Sequence, residues 1–258
     1  MKNKTAGGRR LQLWRIASYS DVGTRIVNED RVCVTESGNC ACVTVADGVG
    51  GHGGGSTAAN AVTRKLNRLF AERVLGSQKA GEILEKNVML DVLTEVNATV
   101  LNLQTAGCRL QATCVTVWMV REENCCTVRW AHTGDSRLYF FREGKLCFRT
   151  KDHSLLESGA GNQGTGLQNV QRNVIWQAMG EPEGIRPDIS DKVQIENESA
   201  ALLLCSDGLW EGVEEDKMEK LLARSCTPEE WLDNLRKELS MAGLDAYDNN
   251  SAAAVFIR

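Results

Sequence analysis

The chain has 258 residues, a formal net charge of −4, and 42% apolar and 25% charged residues. That length holds one large domain or two small ones and can bury a sizeable core. The mild acidity excludes a dedicated nucleic-acid binder, which carries a basic balance or stripe.

The first residues, 1–10, read as a flexible terminus. The start MKNKTAGGRRLQLWRIASYS is basic but lacks the apolar run of a secretory signal. No stretch reaches the roughly 18 consecutive apolar residues of a membrane span, so a cytoplasmic location is expected. SDVGTRIVNEDRVCV, residues 20–34, places Arg25 five residues before Asp30. An arginine fork suits a phosphate, and Glu29 and Asp30 add acidity just before a strand. CACVTVAD (40–47) reads as a buried strand that ends on Asp47 and opens into VGGHGGGS.

Helical spacing follows. Ala59, Val62, Leu66, Leu69 and Phe70 predict a helix from about 56 to 75. Val88, Val92, Val96, Val100 and Leu103 predict a second, continuous one over 80–104. The period then changes to that of strands at 114–120, 127–132, 137–141 and 145–150, with Glu143-Gly144 as a tight turn between the last two. SGAGNQGTG (158–166) reads as a loop. AALLLCSD (200–207) is another buried strand ending on an aspartate. Helices are predicted at 214–224 and 228–241, the latter with Pro228 at its first position, and a short strand closes the chain. Successive strands joined by short turns favour antiparallel pairing, hence an α+β fold with sheet packed on sheet and helices outside.

The ten cysteines contain no CxxC pair, so a zinc ribbon is unexpected and most read as small buried hydrophobes. His132 and His153 read as structural. The opening glycines lack GK[ST] and so form no P-loop.

Four aspartates share a context. Asp47, Asp135, Asp207 and Asp248 each lie where a strand meets a loop. Singly each reads as a turn residue. Together they suit a hard cation, because crowded carboxylates repel one another until cations neutralise them and Mg²⁺ and Mn²⁺ take oxygen ligands.

The ordered series RIVNED, VADGVGGH, TGDSRLY, KDHS, SDGLWE and DNNS resembles the metal-dependent protein phosphatases of the 2C type, over roughly 14–258, and the DGVGGH form is similar to the small stand-alone bacterial members. The resemblance implies a four-layer α-β-β-α sandwich, two antiparallel sheets flanked by helix pairs. It implies one catalytic domain over 11–258, with a short glycine-rich flap at about 152–180. The implied activity is hydrolysis of phosphoserine and phosphothreonine in proteins by direct attack of a water bridging two metals. Two to three Mg²⁺ or Mn²⁺ ions would be held by Asp47, Gly48, Asp207, Asp248 and Asp135. Arg25 would grip the substrate phosphate, Glu29 and Asp30 would orient metal-bound waters, and His52 would be the general acid. A cognate serine/threonine kinase and a monomeric state are further expectations. The alternatives are a phosphoprotein-binding relative with weak activity and a phosphatase of small phosphoesters.

Overall fold

The computed structural model describes residues 14–49, 54–123, 125–155, 157, 174–241 and 248–258. His52, the terminus 1–10, the loop 158–166 and most of the expected flap lie outside the described residues.

Strands β1 (Trp14–Asp21), β2 (Arg31–Ser37), β3 (Cys40–Ala46) and the two-residue β4 (Gly48–Val49) lead into helix α1 (Gly55–Gly76) and helix α2 (Lys86–Leu103). Then come β5 (Gln111–Ala112), β6 (Cys114–Arg121), β7 (Cys125–Thr133), β8 (Arg137–Arg142), β9 (Lys145–Arg149), β10 (Asp188–Ile189), β11 (Val193–Glu196) and β12 (Ala200–Cys205). The chain ends with α3 (Asp207–Trp210), α4 (Glu215–Leu222), α5 (Pro228–Met241) and β13 (Asn250–Ile257).

Among the described residues two large antiparallel sheets form, one in the order β1-β13-β12-β8-β9 and one in the order β10-β7-β6-β3-β2, with β11 also on β7, and β4 pairs with β5 in a small third one. Their facing sides make one core. Ala41, Val43 and Val45 of β3 meet Leu202, Leu204, Val255 and Ile257 from the opposite sheet. The alternate residues of β3, Cys40 and Cys42, point the other way, into a second core under α1 and α2. This is the period-2 alternation of a strand buried on both faces. A third core, around Trp231 and Phe141 packed edge to face at 5.3 Å, seats α4 and α5 on the outer face of the first sheet. Helices, sheet, sheet and helices are therefore the four layers expected.

The long helix over 80–104 is a correction. Ala80–Leu84 is a 3₁₀ turn, Glu85 is extended at ψ 141°, and α2 begins afresh at Lys86. The apolar phase slips there: Ile83 and Leu84 are buried, and the next buried residue is Met89, five positions on rather than three or four. A straight helix would carry one of these groups off the core. Leu103, expected on the apolar face, is exposed. The Glu143-Gly144 turn has both residues at positive φ, 46° and 74°, as a two-residue hairpin of the type I′ form requires. All ten cysteines are free, six of them buried: Cys40, Cys42, Cys114, Cys125, Cys126 and Cys205.

Candidate metal centre and phosphate site

At one end of the sandwich, several strand termini open into a cleft of about 620 Å³. It is lined by Asp47, Gly48, Asp135, Asp207, Asp248, Glu29 and Arg25, together with Thr24, Ile26, Val27, Val49, Ile175 and Asn249. Residues up to 225 positions apart in sequence meet here. Of the residues expected at the site, His52 is outside the described set and Asp30 lies just beneath the floor, fully buried.

Each carboxylate is placed by its own local device. Asp47 follows the last residue of β3. Its N–H donates to Thr113 Oγ1 at 2.9 Å, and its carbonyl accepts from Thr113 N at 2.8 Å. The Thr113 hydroxyl pairs with Ser136 Oγ at 2.6 Å, which ties the Asp47 turn to the turn carrying Asp135. The Asp135 carbonyl accepts from Trp210 Nε1 at 3.0 Å. Arg137 lies on the Trp210 ring, 3.4 Å from its centroid, and holds Asp152 with two hydrogen bonds of 2.8 and 2.7 Å.

Asp207 is the first residue of α3, after Ser206. The Ser206 hydroxyl donates to Asp30 Oδ2 at 2.6 Å and accepts from Ser251 N at 3.0 Å. Gly208 allows this α3 turn to sit on the Asp248 segment, since any Cβ there would strike the Asn249 carbonyl. Gly48 and Gly55 serve the same end across the cleft: a Cβ at Gly48 would collide with the Gly55 backbone, and one at Gly55 would meet Glu29 Oε1 and the Gly48 carbonyl at 2.7 Å. The glycine-rich stretch thus lets α1 begin directly against the cleft, with the Glu29 carboxylate at its N-terminal end, the favourable end for a negative charge.

Asn249 was not singled out from the sequence, although it sits inside the DNNS motif. Its side-chain amide donates to Val22 O and Val27 O at 2.8 and 3.0 Å, and its carbonyl oxygen accepts from Glu29 N at 2.8 Å. One side chain therefore fastens the loop of Arg25 and Glu29 to the strand beside Asp248. Thr113, Ser206 and Trp210 are likewise supports that no spacing rule reveals, because each acts through a partner distant in sequence.

The electrostatics are lopsided. Five carboxylates and one cation, Arg25, line the cleft among the described residues. Burial, then the neighbouring charges of Asp30, Asp207 and Asp135, pushes the Asp47 carboxyl well above the usual carboxylate range. Burial and the Asp135 charge push Asp207 up to about 8, and burial followed by Asp152 pushes Asp135 up to about 6. Asp30 is raised by burial too, and its Oδ1 is buried without a hydrogen-bond donor. Such a set is held in its ionised form only by added positive charge. Its donors are all oxygens, the chemistry of Mg²⁺ and Mn²⁺ rather than of a soft metal, so the residues fit divalent cations. Arg25 Nη2 meets Asp248 Oδ2 at 2.7 Å, with the side chains 62% and 43% exposed. A pair so open to solvent contributes at most about 1 kcal/mol, and its arginine is readily given up to another anion.

His132, His153 and Asp188 make a second group of ligating side chains, all within 4.8 Å. Gly134 N–H donates to His153 Nδ1 at 3.3 Å, which places the ring proton on Nε2, facing Asp188 at 3.4 Å. His132 Nε2 donates to the Lys151 carbonyl at 2.7 Å, and burial lowers its pKa, so it stays neutral. The His153 ring lies 4.7 Å from His132 and 4.8 Å from Trp176. The His153 ring and backbone thus hold the Gly134-Asp135 turn.

The profile of the family described as Protein phosphatase 2C matches residues 19–241. The chain belongs to this family. Among its curated members, the serine/threonine phosphatase Stp of Listeria monocytogenes is 30% identical over 222 residues, covering 80% of this chain and 81% of that one. The solved serine/threonine phosphatase of S. agalactiae superposes with a TM-score of 0.80 at 25% identity, covering 95% of this chain and all of the other. The catalytic domain of the phosphatase PstP, solved in complex with two manganese ions, shares the 2C fold at a TM-score of 0.69 and 24% identity, covering 95% and 99% of the two chains.

Proposed function

We propose that this 2C-family chain is a Mg²⁺- or Mn²⁺-dependent phosphatase of phosphoserine and phosphothreonine in proteins. The observation that carries the reading is the cleft itself, in which Asp47, Asp135, Asp207 and Asp248 converge beside Arg25, the one arginine lining it among the described residues.

In this reading Asp47, Gly48, Asp207, Asp248 and Asp135 hold two to three ions. When bound, these ions activate a water and neutralise charge on the phosphoryl group. The remaining work belongs to the chain. Arg25 leaves Asp248 and takes two phosphate oxygens through its planar fork. Asp30, whose carboxylate is held by Ser206, and Glu29, whose backbone is held by Asn249, would orient metal-bound waters. His52 gives its proton to the departing serine or threonine oxygen, a poor leaving group that gains most from an acid. Binding and positioning supply most of the rate, as in phosphoryl transfer generally.

The proposal includes a monomeric protein acting in the cytoplasm opposite a serine/threonine kinase. Among the described residues no helix is long and apolar enough to cross a membrane. The test is phosphate release from phosphothreonine, phosphoserine and phosphotyrosine peptides. Activity on the first two is expected with Mn²⁺, to be lost in chelator and restored by excess metal. Hydrolysis that ignores chelator would refute the reading, and tight peptide binding without turnover would favour a phosphoprotein-binding role.

His52→Ala is expected to slow phosphothreonine hydrolysis by about 10²-fold or more, the low end of general acid catalysis, and to slow an activated aryl phosphate far less. Equal losses on the two substrates would remove His52 as the acid.

A further inference from the structure

The loop that carries Arg25 also carries the most exposed large apolar side chain among the described residues. Ile26 is 100% exposed, and its neighbour Val27 is 53% exposed. Such exposure would mean little on a slack loop tip, but this loop is fastened along its length. Asn249 Nδ2 holds the carbonyls of Val22 and Val27, Arg25 N donates to Val22 O at 3.3 Å, and Asp21 Oδ1 accepts from Gly23 N at 3.0 Å. On the far side, Asn28 Oδ1 accepts from Asp30 N at 3.0 Å. Ile26 is therefore presented to solvent by an ordered backbone at the mouth of the cleft.

It does not stand alone there. Val27, Val49 and Ile175 line the same 620 Å³ cleft. Ile175 is placed by its bridge to Ser154 and by the hydrogen bonds Leu155 N to Val174 O (3.0 Å) and Trp176 N to His153 O (2.8 Å). The cleft thus has two chemistries: a floor of carboxylates with Arg25, and an apolar set in the lining. A phosphate at Arg25 leaves the next residues of an extended peptide, about 3.3 Å apart along the chain, within reach of these apolar side chains. A small phosphoester would leave them bare.

We propose that Ile26, with Val27, Val49 and Ile175, forms a subsite for an apolar side chain flanking the phosphorylated serine or threonine of a protein substrate. The subsite rests on the phosphatase reading above and deepens it: the substrate class is a phosphopeptide segment with a leucine-like neighbour, bound by Arg25 at its phosphate and by Ile26 and the other apolar lining residues at its flank. Because binding to the flank is the same before and at the transition state, the preference lies in KM rather than kcat.

The experiment uses the full chain with Mn²⁺ and a set of phosphothreonine peptides of serine and glycine, with leucine placed in turn at each of the two positions on either side. For wild type, leucine in at least one position is expected to raise kcat/KM about tenfold over the all-polar peptide, mainly through KM, as expected for partial burial of one or two such side chains. Ile26→Ser is expected to cut that ratio to about threefold or less, and Ile26→Ser with Val27→Ser to bring it close to one. A ratio taken on one preparation cancels any general change in activity. Wild-type rates indifferent to leucine at every position would overturn the subsite, as would a preference that survives in the double variant. Turnover of p-nitrophenyl phosphate with none of the peptides would also overturn it, while keeping a phosphatase of small phosphoesters. Turnover of neither would overturn the phosphatase reading and the subsite with it.

Discussion

Asp47→Asn is expected to abolish all but a trace of Mn²⁺-dependent phosphothreonine hydrolysis, a fall of about 10³-fold or more in kcat. That factor corresponds to about 4 kcal/mol, within the several kcal/mol that a metal supplies to a phosphoryl transition state. Asp47 lines the charged floor, where the charges of Asp30, Asp207 and Asp135 bear on its carboxyl. Its backbone bonds to Thr113 do not involve the carboxyl, so the amide leaves the turn in place. The checks are steady-state kinetics beside a thermal melt, with Mn²⁺ binding followed by calorimetry. A folded Asp47→Asn variant that retains full activity would end the assignment of Asp47 as a metal ligand.

The second large effect is on stability without metal. Asp207 is raised to about 8 and Asp135 to about 6 from 3.8, in both cases chiefly by burial. A carboxyl raised in the folded chain contributes its full stabilisation below the unfolded value, near pH 4. That contribution is lost as pH climbs through the folded value. The metal-free protein should therefore lose stability between about pH 4 and pH 8, and a divalent cation should restore it by binding only the folded state.

Asp207→Asn removes one of the repelling charges. In chelator near pH 8 it should raise the melting temperature by about 4–12 °C, taking about 2–3 kcal/mol for removal of a buried, repelled charge at roughly 2–4 °C per kcal/mol for a chain of this size. Near pH 5, where the native Asp207 already holds its proton, the gain should be small. The same variant should lose most of the stabilisation that Mn²⁺ confers on wild type. Calorimetry at both pH values, with and without metal, reads all of this. An equal gain at the two pH values would show that the carboxylate charge is not what destabilises the apo fold.

Much of the architecture follows from local pattern. The strands at 114–121, 125–133, 137–142 and 145–149 and the helices at 55–76, 215–222 and 228–241 have clean periods and clear turn residues, so neighbours in the chain suffice to define them. The break at Glu85 escapes such reading because two good helical patterns abut out of phase. β1 and β11 escape it as well. β1 is buried only at Trp14 and otherwise mixes half-buried and exposed residues, and its place is set by pairing with β13 at the opposite end of the chain, from Trp14 opposite Ile257 to Asp21 opposite Asn250.

The candidate site divides in the same way. The aspartates and Arg25 are legible because a hard cation and a phosphate demand those residue types, and each aspartate lies where a strand meets a loop. The fold class, the family and an oxygen-rich site suited to divalent cations are thus legible along the chain. Packing at long range reveals that Asn249 fastens the loop of Arg25, that His153 holds the turn of Asp135, that Arg25 meets Asp248, and that Ile26 stands bare at the cleft. The reason is one of range. Periodicity and turn preference are written over a few successive residues, whereas a support contact joins residues from 19 to 227 positions apart, and its partner is chosen only when the two sheets close on their common core.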